Sequence, residues 1–123
     1  MTAKIMIVDD STLVATLHTG ILSQAGFTCS LAENGSVALE LLLAGSYDLV
    51  ISDINMPRMN GYELVKRMRK TPGYEKIPVM MVSTEGKPSD MLLAMEAGAN
   101  LYIIKPISAI QLLSSVKSLL KAN

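Results

Sequence analysis

Short apolar runs alternate along the chain with longer segments in which apolar residues recur every three or four positions. The short runs predict strands buried on both faces, and the longer segments predict helices. This alternation occurs five times. The predicted strands are Lys4–Val8, Thr28–Ala32, Asp48–Ser52, Val79–Ser83 and Leu101–Ile104. The predicted helices are Thr12–Ala25, Gly35–Ala44, Gly61–Lys70, Ser89–Ala97 and Ser108–Lys121.

Residues that start and stop helices stand at the ends of these segments. Side chains that can cap a helix N-terminus precede three of them: Ser11 or Thr12, Asn34 and Ser108. Glycines that can end a helix in a left-handed conformation follow three: Gly26, Gly45 and Gly98. The element boundaries are therefore supported by local chemistry as well as by periodicity.

The spacing of residues within two helices predicts which face is buried. In the first helix Leu13, Leu17 and Ile21 recur every four residues and predict one buried stripe. In the third helix the predicted buried residues are Leu64, Val65 and Met68, and the residues predicted to face water are Lys66, Arg67, Arg69 and Lys70.

Strands that alternate with helices favour a parallel sheet with right-handed crossovers. We therefore expect an α/β fold of the flavodoxin-like doubly wound (βα)5 kind, whose five-stranded sheet has the order 2-1-3-4-5. Ligands of such folds bind at the carboxyl ends of strands 1 and 3. The length of 123 residues suits a single domain, which we expect to span residues 1–123 without an output domain.

Composition excludes several classes of protein. Half of the residues are hydrophobic and the mean hydropathy is +0.35, which excludes disorder. The 11 basic and 11 acidic residues balance without a basic stripe, which argues against nucleic-acid binding. Cys29 is the only cysteine, and we expect it to be a buried thiol in a reducing compartment. No leader or apolar stretch of roughly 18–20 residues is present, so we expect a cytoplasmic protein without membrane insertion.

Charged residues follow three of the predicted strands. Asp9 and Asp10 follow the first strand, Asp53 the third and Lys105 the fifth. Because the carboxyl ends of parallel strands meet at one edge of a sheet, three carboxylates should gather there and repel one another until a cation offsets them. Two plainer interpretations stay open: Asp9 and Asp10 could be helix caps, and Lys105 could simply neutralise the acids.

The same residues could hold a metal ion and a phosphoryl group. Mg²⁺ prefers oxygen ligands, and Asp10 and Asp53 could bind it directly while Asp9 acts through water. A metal ion and Lys105 beside one carboxylate would also neutralise a transferring phosphoryl group, for which aspartate is a known covalent acceptor. The Ser83 hydroxyl could donate a hydrogen bond to that group, or could be a strand-end cap.

Four motifs resemble those of the response regulator receiver domain, and the single-domain chemotaxis members in particular. They are Ile7–Ser11, Ser52–Gly61, Val82–Glu85 and Glu96–Asn100 leading into Lys105-Pro106. The resemblance covers the whole chain in the order of the family. The 2-1-3-4-5 strand order is known for this family, so its agreement with the predicted order is not independent.

The resemblance implies a role for each residue of the predicted site. Asp53 would accept a phosphoryl group from a histidine kinase. Asp9, Asp10, Asp53 and the backbone carbonyl of Asn55 would hold Mg²⁺. Lys105 would contact the phosphoryl oxygens, and its peptide bond to Pro106 is expected to be cis.

The resemblance also implies a switch. Ser83 would move toward the phosphoryl group, and the ring of Tyr102 would turn inward behind it. The alternative is that Tyr102 is an ordinary residue of an edge strand. The surface of helix 4, strand 5 and helix 5 would change with the switch and bind a downstream protein. Helix 4 carries apolar residues that could belong to that surface: Met91, Leu92, Leu93 and Met95.

We therefore expect a stand-alone receiver of a two-component pathway, with chemotaxis as the first candidate. It would not be an enzyme beyond its own phosphorylation and dephosphorylation, and a phosphatase is a candidate partner. One alternative is a phosphatase of the haloacid dehalogenase kind, which would need a second aspartate where Asn55 stands. The other is a non-phosphorylated interaction module with the receiver fold. His18, the only histidine, is expected at the surface.

Overall fold

The computed structural model describes residues 2–121, in which strands and helices alternate. The predicted domain limits, Met1 and Asn123, lie outside the described residues. The strands are β1 (Lys4–Val8), β2 (Thr28–Ala32), β3 (Leu49–Asp53), β4 (Val79–Ser83) and β5 (Leu101–Ile104). The helices are α1 (Thr12–Gln24), α2 (Gly35–Ala44), α3 (Gly61–Arg69), α4 (Pro88–Ala97) and α5 (Ala109–Lys121). Within the described range, no helix has the length and apolar character needed to span a bilayer.

The five strands form one parallel sheet with the order β2-β1-β3-β4-β5. The predicted fold and strand order are thus confirmed. The main difference lies in β3, which begins and ends one residue later than predicted. Asp53 is consequently the last residue of the strand, paired in register with Val82 of β4. This strand pairing fixes its backbone more firmly than a loop position would.

The sheet is covered on both faces, and the two-residue period of each strand divides its side chains between two cores. In β1, Ile5 and Ile7 pack with residues of α1 and α5. Met6 and Val8 project to the other face, into a core built with α2, α3 and α4. The continuous apolar runs of the sequence are explained by this burial on both sides.

The predicted helix caps are present, and one predicted helix end is wrong. The side chains of Ser11, Asn34 and Ser108 accept hydrogen bonds from backbone N–H groups of the first helical turns. Gly26 and Gly98 are left-handed, with φ of 97° and 114°. Gly45 has an extended φ of −139° instead. The Tyr74 hydroxyl donates to the carbonyls of Leu42 and Gly45, so these carbonyls at the end of α2 are satisfied without a left-handed turn.

The predicted buried face of α1 is wrong at Leu13 and Leu17, whereas Ile21 is partly buried against the core. Leu13 and Leu17 are 81% and 59% exposed, whereas Ala15, His18 and Leu22 are buried. Apolar residues occur on several sides of this helix, so a four-residue spacing identifies a face without showing that it meets the sheet. Ala15 and Leu22 lie in the core shared with β1 and α5, whereas Leu13 and Leu17 stay outside.

Arg69 was predicted to face water with its basic neighbours. Its side chain instead forms hydrogen bonds with residues of other elements. Its guanidinium donates to the carbonyls of Tyr74, Ile77 and Gly98 and to the side chain of Asn100. Helix periodicity cannot reveal such a role, because the acceptors lie in other elements. These bonds join the end of α3 to the entrance of β4 and to the turn between α4 and β5.

Cys29 is only partly buried, not fully as expected. It belongs to β2, which is an edge strand of the sheet and is covered less completely than the central strands. The predicted strand order already placed β2 at the edge, so the expectation of full burial did not take this position into account.

The backbone approaches closely where β3 meets α3. A Cβ atom at Gly61 would collide with the carbonyl oxygen of Asp53 and would lie 2.8 Å from Cε of Met81. The N–H of Gly61 also donates to the carbonyl of Ile54 at 2.9 Å. The absence of a side chain at Gly61 therefore lets α3 begin directly against the end of β3.

Gly61→Ala is expected to destabilise the fold by about 2 kcal/mol or more, because the new methyl group must displace backbone at the end of β3. The matched control is Gly20→Ala in α1, where an added Cβ meets nothing within 4 Å. That change should stabilise by up to about 1 kcal/mol through helix propensity. Urea denaturation of both variants checks the prediction, and equal effects at the two glycines would contradict it.

Candidate functional site

Three carboxylates meet at the carboxyl edge of the sheet. Asp9 and Asp10 directly follow β1, and Asp53 ends the neighbouring strand β3. Ligand oxygens of the three lie within 4.8 Å of one another. Asp9 and Asp53 are 5% and 9% exposed, while Asp10 is open to solvent. The acids that the sequence placed at the ends of separate strands are thus brought together.

Lys105 lies against the two buried acids. Its Nζ is 3.1 Å from Oδ2 of Asp9 and 3.5 Å from Oδ2 of Asp53. The backbone N–H of Lys105 donates to the carbonyl of Ser83 at 2.7 Å, which fixes the start of this loop to the end of β4. The bond between Lys105 and Pro106 is cis, as the resemblance implied.

Backbone donors hold the other oxygen of each buried acid. Oδ1 of Asp9 accepts from the N–H of Ser11 at 2.9 Å, and Oδ1 of Asp53 accepts from the N–H of Ile54 at 2.8 Å. Each side chain is therefore oriented with its second oxygen toward Lys105. Since Ser11 is the N-cap of α1, neither Asp9 nor Asp10 has the capping role that the sequence left open.

The charges of the site do not balance. Three carboxylates and one ammonium group leave two negative charges when all are ionised. The donor set consists entirely of carboxylate oxygens, which are hard ligands suited to Mg²⁺. A divalent cation would offset the excess charge, so the residues present fit such an ion. Asn55 lies two residues beyond Asp53 with an exposed side chain, and the role of its carbonyl stays a prediction.

Burial raises the pKa of Asp53 above its ordinary value of 3.8, because the ionised carboxylate loses hydration. The charge of Lys105 lowers this pKa, and the charge of Asp9 raises it. Asp53 is thus a carboxylate whose ionised form is destabilised where it lies, which is characteristic of functional sites.

Ser83 and Tyr102 are linked through one residue of the loop after β4. The N–H of Glu85 donates to the Ser83 hydroxyl at 3.0 Å, and the Tyr102 hydroxyl donates to the Glu85 carbonyl at 2.6 Å. Ser83 is fully buried, and the ring of Tyr102 is 7% exposed. Tyr102 is therefore packed inward in this structure, and its role in a switch stays a prediction.

His18 is not at the surface, as the sequence suggested, but 4% exposed on the inner face of α1. Burial lowers the pKa of His18, the charge of Asp9 raises it, and the charge of Lys105 lowers it further. The imidazole is therefore within electrostatic reach of the carboxylate site. The burial of His18 could have been predicted from the sequence only if the buried face of α1 had been identified correctly.

Comparison with known proteins agrees with the geometry. Residues 5–117 match the family model described as the response regulator receiver domain. The chain belongs to this family. It is 37% identical over 122 residues to chemotaxis protein CheY1 of Helicobacter pylori, covering 98% of each chain. It is 40% identical over 107 residues to a CheY homolog of Campylobacter jejuni, covering 85% of this chain and 82% of that one.

Two solved structures of similar proteins have the same fold. The chemotaxis protein CheY4 of Vibrio cholerae superposes with a TM-score of 0.93 at 32% identity, covering 97% of this chain and 99% of that one. A putative response regulator of Chloroflexus aurantiacus superposes with a TM-score of 0.94 at 33% identity, covering 98% and 99%. The chain is thus a CheY-like receiver domain with an acidic pocket at the position where its fold binds ligands.

Asp53→Asn is expected to stabilise this receiver at neutral pH. Because folding raises the pKa of Asp53, the folded state binds this proton more tightly than the unfolded chain. Stability of the native protein therefore falls as pH rises through the interval between the two pKa values. The advantage of the variant should be full at neutral pH and should shrink as pH falls through that interval.

Urea denaturation at a series of pH values, from neutral down to the ordinary carboxyl pKa of 3.8, measures this difference. Glu40→Gln, a matched change at an exposed carboxylate of α2, is the control. An advantage of Asp53→Asn that does not vary with pH would contradict the electrostatic explanation.

Proposed function

We propose that this protein is a phosphorylatable receiver of a two-component pathway and that Asp53 is its phosphoacceptor. The supporting observation is the pocket formed by Asp9, Asp10, Asp53 and Lys105 in a chain of the receiver family. The phosphodonor would be a phosphohistidine of a histidine kinase in the cytoplasm. The likeness to chemotaxis proteins over 98% of the Helicobacter relative supports a role in chemotaxis, as a single-domain receiver.

The transfer exchanges one bond to phosphorus for another. An oxygen of Asp53 forms a bond to phosphorus while the bond between phosphorus and the donor's histidine nitrogen breaks, and the imidazole leaves. Such a transfer depends mainly on alignment and on neutralisation of the phosphoryl oxygens. Lys105 is placed to do both, because its ammonium group lies 3.5 Å from Asp53 and its backbone is bonded to Ser83.

Mg²⁺ is the proposed cofactor, held by Asp9, Asp10, Asp53 and the carbonyl of Asn55. When bound, it would supply positive charge to the phosphoryl oxygens and relieve the repulsion among the acids. The exposed position of Asp10 gives the ion an approach from solvent. The protein itself would act as a signalling phosphoacceptor and not as an enzyme for another substrate.

The proposed switch runs through Glu85. The Ser83 hydroxyl accepts a hydrogen bond from the Glu85 N–H at 3.0 Å. When this hydroxyl moves to donate to a phosphoryl oxygen, it would turn away from Glu85. The carbonyl of Glu85 accepts the hydrogen bond from the Tyr102 hydroxyl, so a movement of Ser83 would affect the Tyr102 ring through Glu85. A new dianion would in this way bias the loop that leads into α4.

The proposed output surface is formed by α4, β5 and α5. Four consecutive or near-consecutive apolar residues of α4 are at least two-fifths exposed: Met91, Leu92, Leu93 and Met95. An apolar surface of this kind suits a protein partner. We do not expect nucleic acid there, because the 11 basic and 11 acidic residues of the chain balance. A phosphatase remains a further candidate partner.

The rival functions are less well supported. A phosphatase of the haloacid dehalogenase kind uses a second acid two residues after its nucleophile, and Asn55 occupies that position. A non-phosphorylated interaction module would have lost one or more of the site residues, whereas all four charged residues are in place.

Incubation with Mg²⁺ and acetyl phosphate is expected to add one phosphoryl group to the protein, because Asp53 is the aligned nucleophile. Intact mass spectrometry measures the addition. Asp53→Asn should gain none, and Asp10→Ala should be phosphorylated more slowly with weaker Mg²⁺ binding. An added phosphoryl group on Asp53→Asn would place the acceptor elsewhere and refute the proposal.

Lys105→Ala is expected to retain Mg²⁺ binding but to be phosphorylated at least about tenfold more slowly. The reason is that the variant lacks the positive charge that neutralises the phosphoryl oxygens. Lys66→Ala, at an exposed lysine of α3, is the matched control and should behave as the native protein. Titration with Mg²⁺ and the time course of phosphorylation separate the two effects. An unchanged rate in Lys105→Ala would leave this residue only a structural partner of the acids.

A further inference from the structure

The one histidine of the chain is buried where a core would ordinarily use an apolar residue. His18 lies on the face of α1 that also buries Ala15 and Leu22, and it is 4% exposed. Because burial lowers its pKa, the imidazole is neutral at pH 7. A neutral imidazole carries one hydrogen-bond donor and one acceptor. Burying both is costly unless a partner is present.

Among residues 2–121 no side chain or backbone group hydrogen-bonds to this imidazole, and burial and distant charges are the causes that act on its pKa. Yet no completely enclosed side-chain nitrogen or oxygen in this range lacks a partner. The ring therefore keeps a small opening through which a partner can reach it. That opening leads to a cleft beside α1.

The cleft, here named the α1 cleft, lies between α1 and the loop after β5 and has a volume of about 300 Å³. Its walls are formed by Val14, Leu17, Pro106 and Ile107, with His18 and Thr84 as polar members. Its volume is at the lower end of the range for small-molecule sites, and the exposure of Leu17 leaves it partly open to solvent. Its lining, mostly apolar with a few polar groups, is typical of such sites. None of the roles proposed above for the carboxylate pocket uses His18.

The chemistry of the cleft selects an uncharged ligand. Lys105 also borders it, but the ammonium group of this residue is already paired with Asp9 at 3.1 Å and Asp53 at 3.5 Å. No spare charge is therefore offered to an anion, and the apolar walls would strip water from any ion. A hydroxyl group can donate to the bare nitrogen of a neutral imidazole or accept from its N–H, so it suits whichever nitrogen faces the cleft.

We propose that the α1 cleft binds a small, uncharged, mainly apolar molecule, such as an aromatic alcohol, whose hydroxyl group hydrogen-bonds to His18. This inference goes beyond the proposed signalling function, because binding would require neither Mg²⁺ nor phosphorylation of Asp53. The ligand would pack beside Lys105 and Pro106, so occupancy would be felt at the edge of the carboxylate pocket.

Phenol is the probe, and toluene is its counterpart without a hydroxyl group. Titration of the full-length, isotope-labelled protein with phenol should give saturable amide shifts at the cleft residues, together with a shift of the His18 ring nitrogens. Toluene should bind about fivefold more weakly, the factor expected for one net hydrogen bond.

His18→Leu tests the role of the imidazole, and it should fold because an apolar side chain suits this buried position. This variant should bind phenol about fivefold more weakly than the native protein and should no longer distinguish phenol from toluene. A second pair of variants tests the cleft wall: Leu17→Ala should weaken phenol binding, whereas Leu43→Ala, at a similarly exposed leucine of α2, should not.

Three outcomes would overturn the proposal: shifts that do not saturate, shifts centred on the exposed residues of α4, or equal phenol affinity in His18→Leu and the native protein. Phosphorylation of Asp53 is measured separately by mass. A failure of phenol binding would therefore leave the signalling proposal untouched, and a failure of phosphorylation would leave the cleft untouched.

Discussion

Mutual repulsion among Asp9, Asp10 and Asp53 is the constraint on which the site depends. Oxygens of all three lie within 4.8 Å of one another, and two of the acids are buried. Only Lys105, contributed by the far side of the sheet, offsets them within the described residues. The residues of the pocket therefore fit a cation, which would offset their excess negative charge. Burial raises the pKa of Asp53, the charge of Lys105 lowers it, and the charge of Asp9 raises it further.

The three acids lie at the carboxyl ends of two interior strands of the sheet. β1 and β3 are central strands, buried by helices on both faces, and backbone N–H groups hold one oxygen of each buried acid. The residues proposed to respond are instead joined through loop contacts. Glu85, in the loop after β4, accepts from Tyr102 and donates to Ser83. The proposed switch would therefore act on the loop after β4, next to acids that backbone hydrogen bonds hold.

Helix α1 has individual features, and the carboxylate site next to it is nevertheless complete. Leu13 and Leu17 lie outside while His18 and Leu22 lie inside, so the four-residue spacing from Leu13 does not mark the buried face. The consequence is an apolar cleft with a polar end beside Lys105. At the other end of the sheet, Arg69 was expected at the surface as a solvated charge. Its guanidinium instead donates hydrogen bonds to three backbone carbonyls. In both places a polar residue gains its role from elements distant in sequence.

The sequence by itself determined the alternation of elements, the strand order, most helix caps and the meeting of three acids with a lysine. These follow from local periodicity and from the rule that parallel strands end at one edge. Only the tertiary structure decided the buried face of α1, the burial of His18, the bonds of Arg69, the extended Gly45 and the inward ring of Tyr102. The physical reason is that periodicity records which residues share a face. Which face is covered, and by which donors and acceptors, depends on packing between elements far apart in the chain.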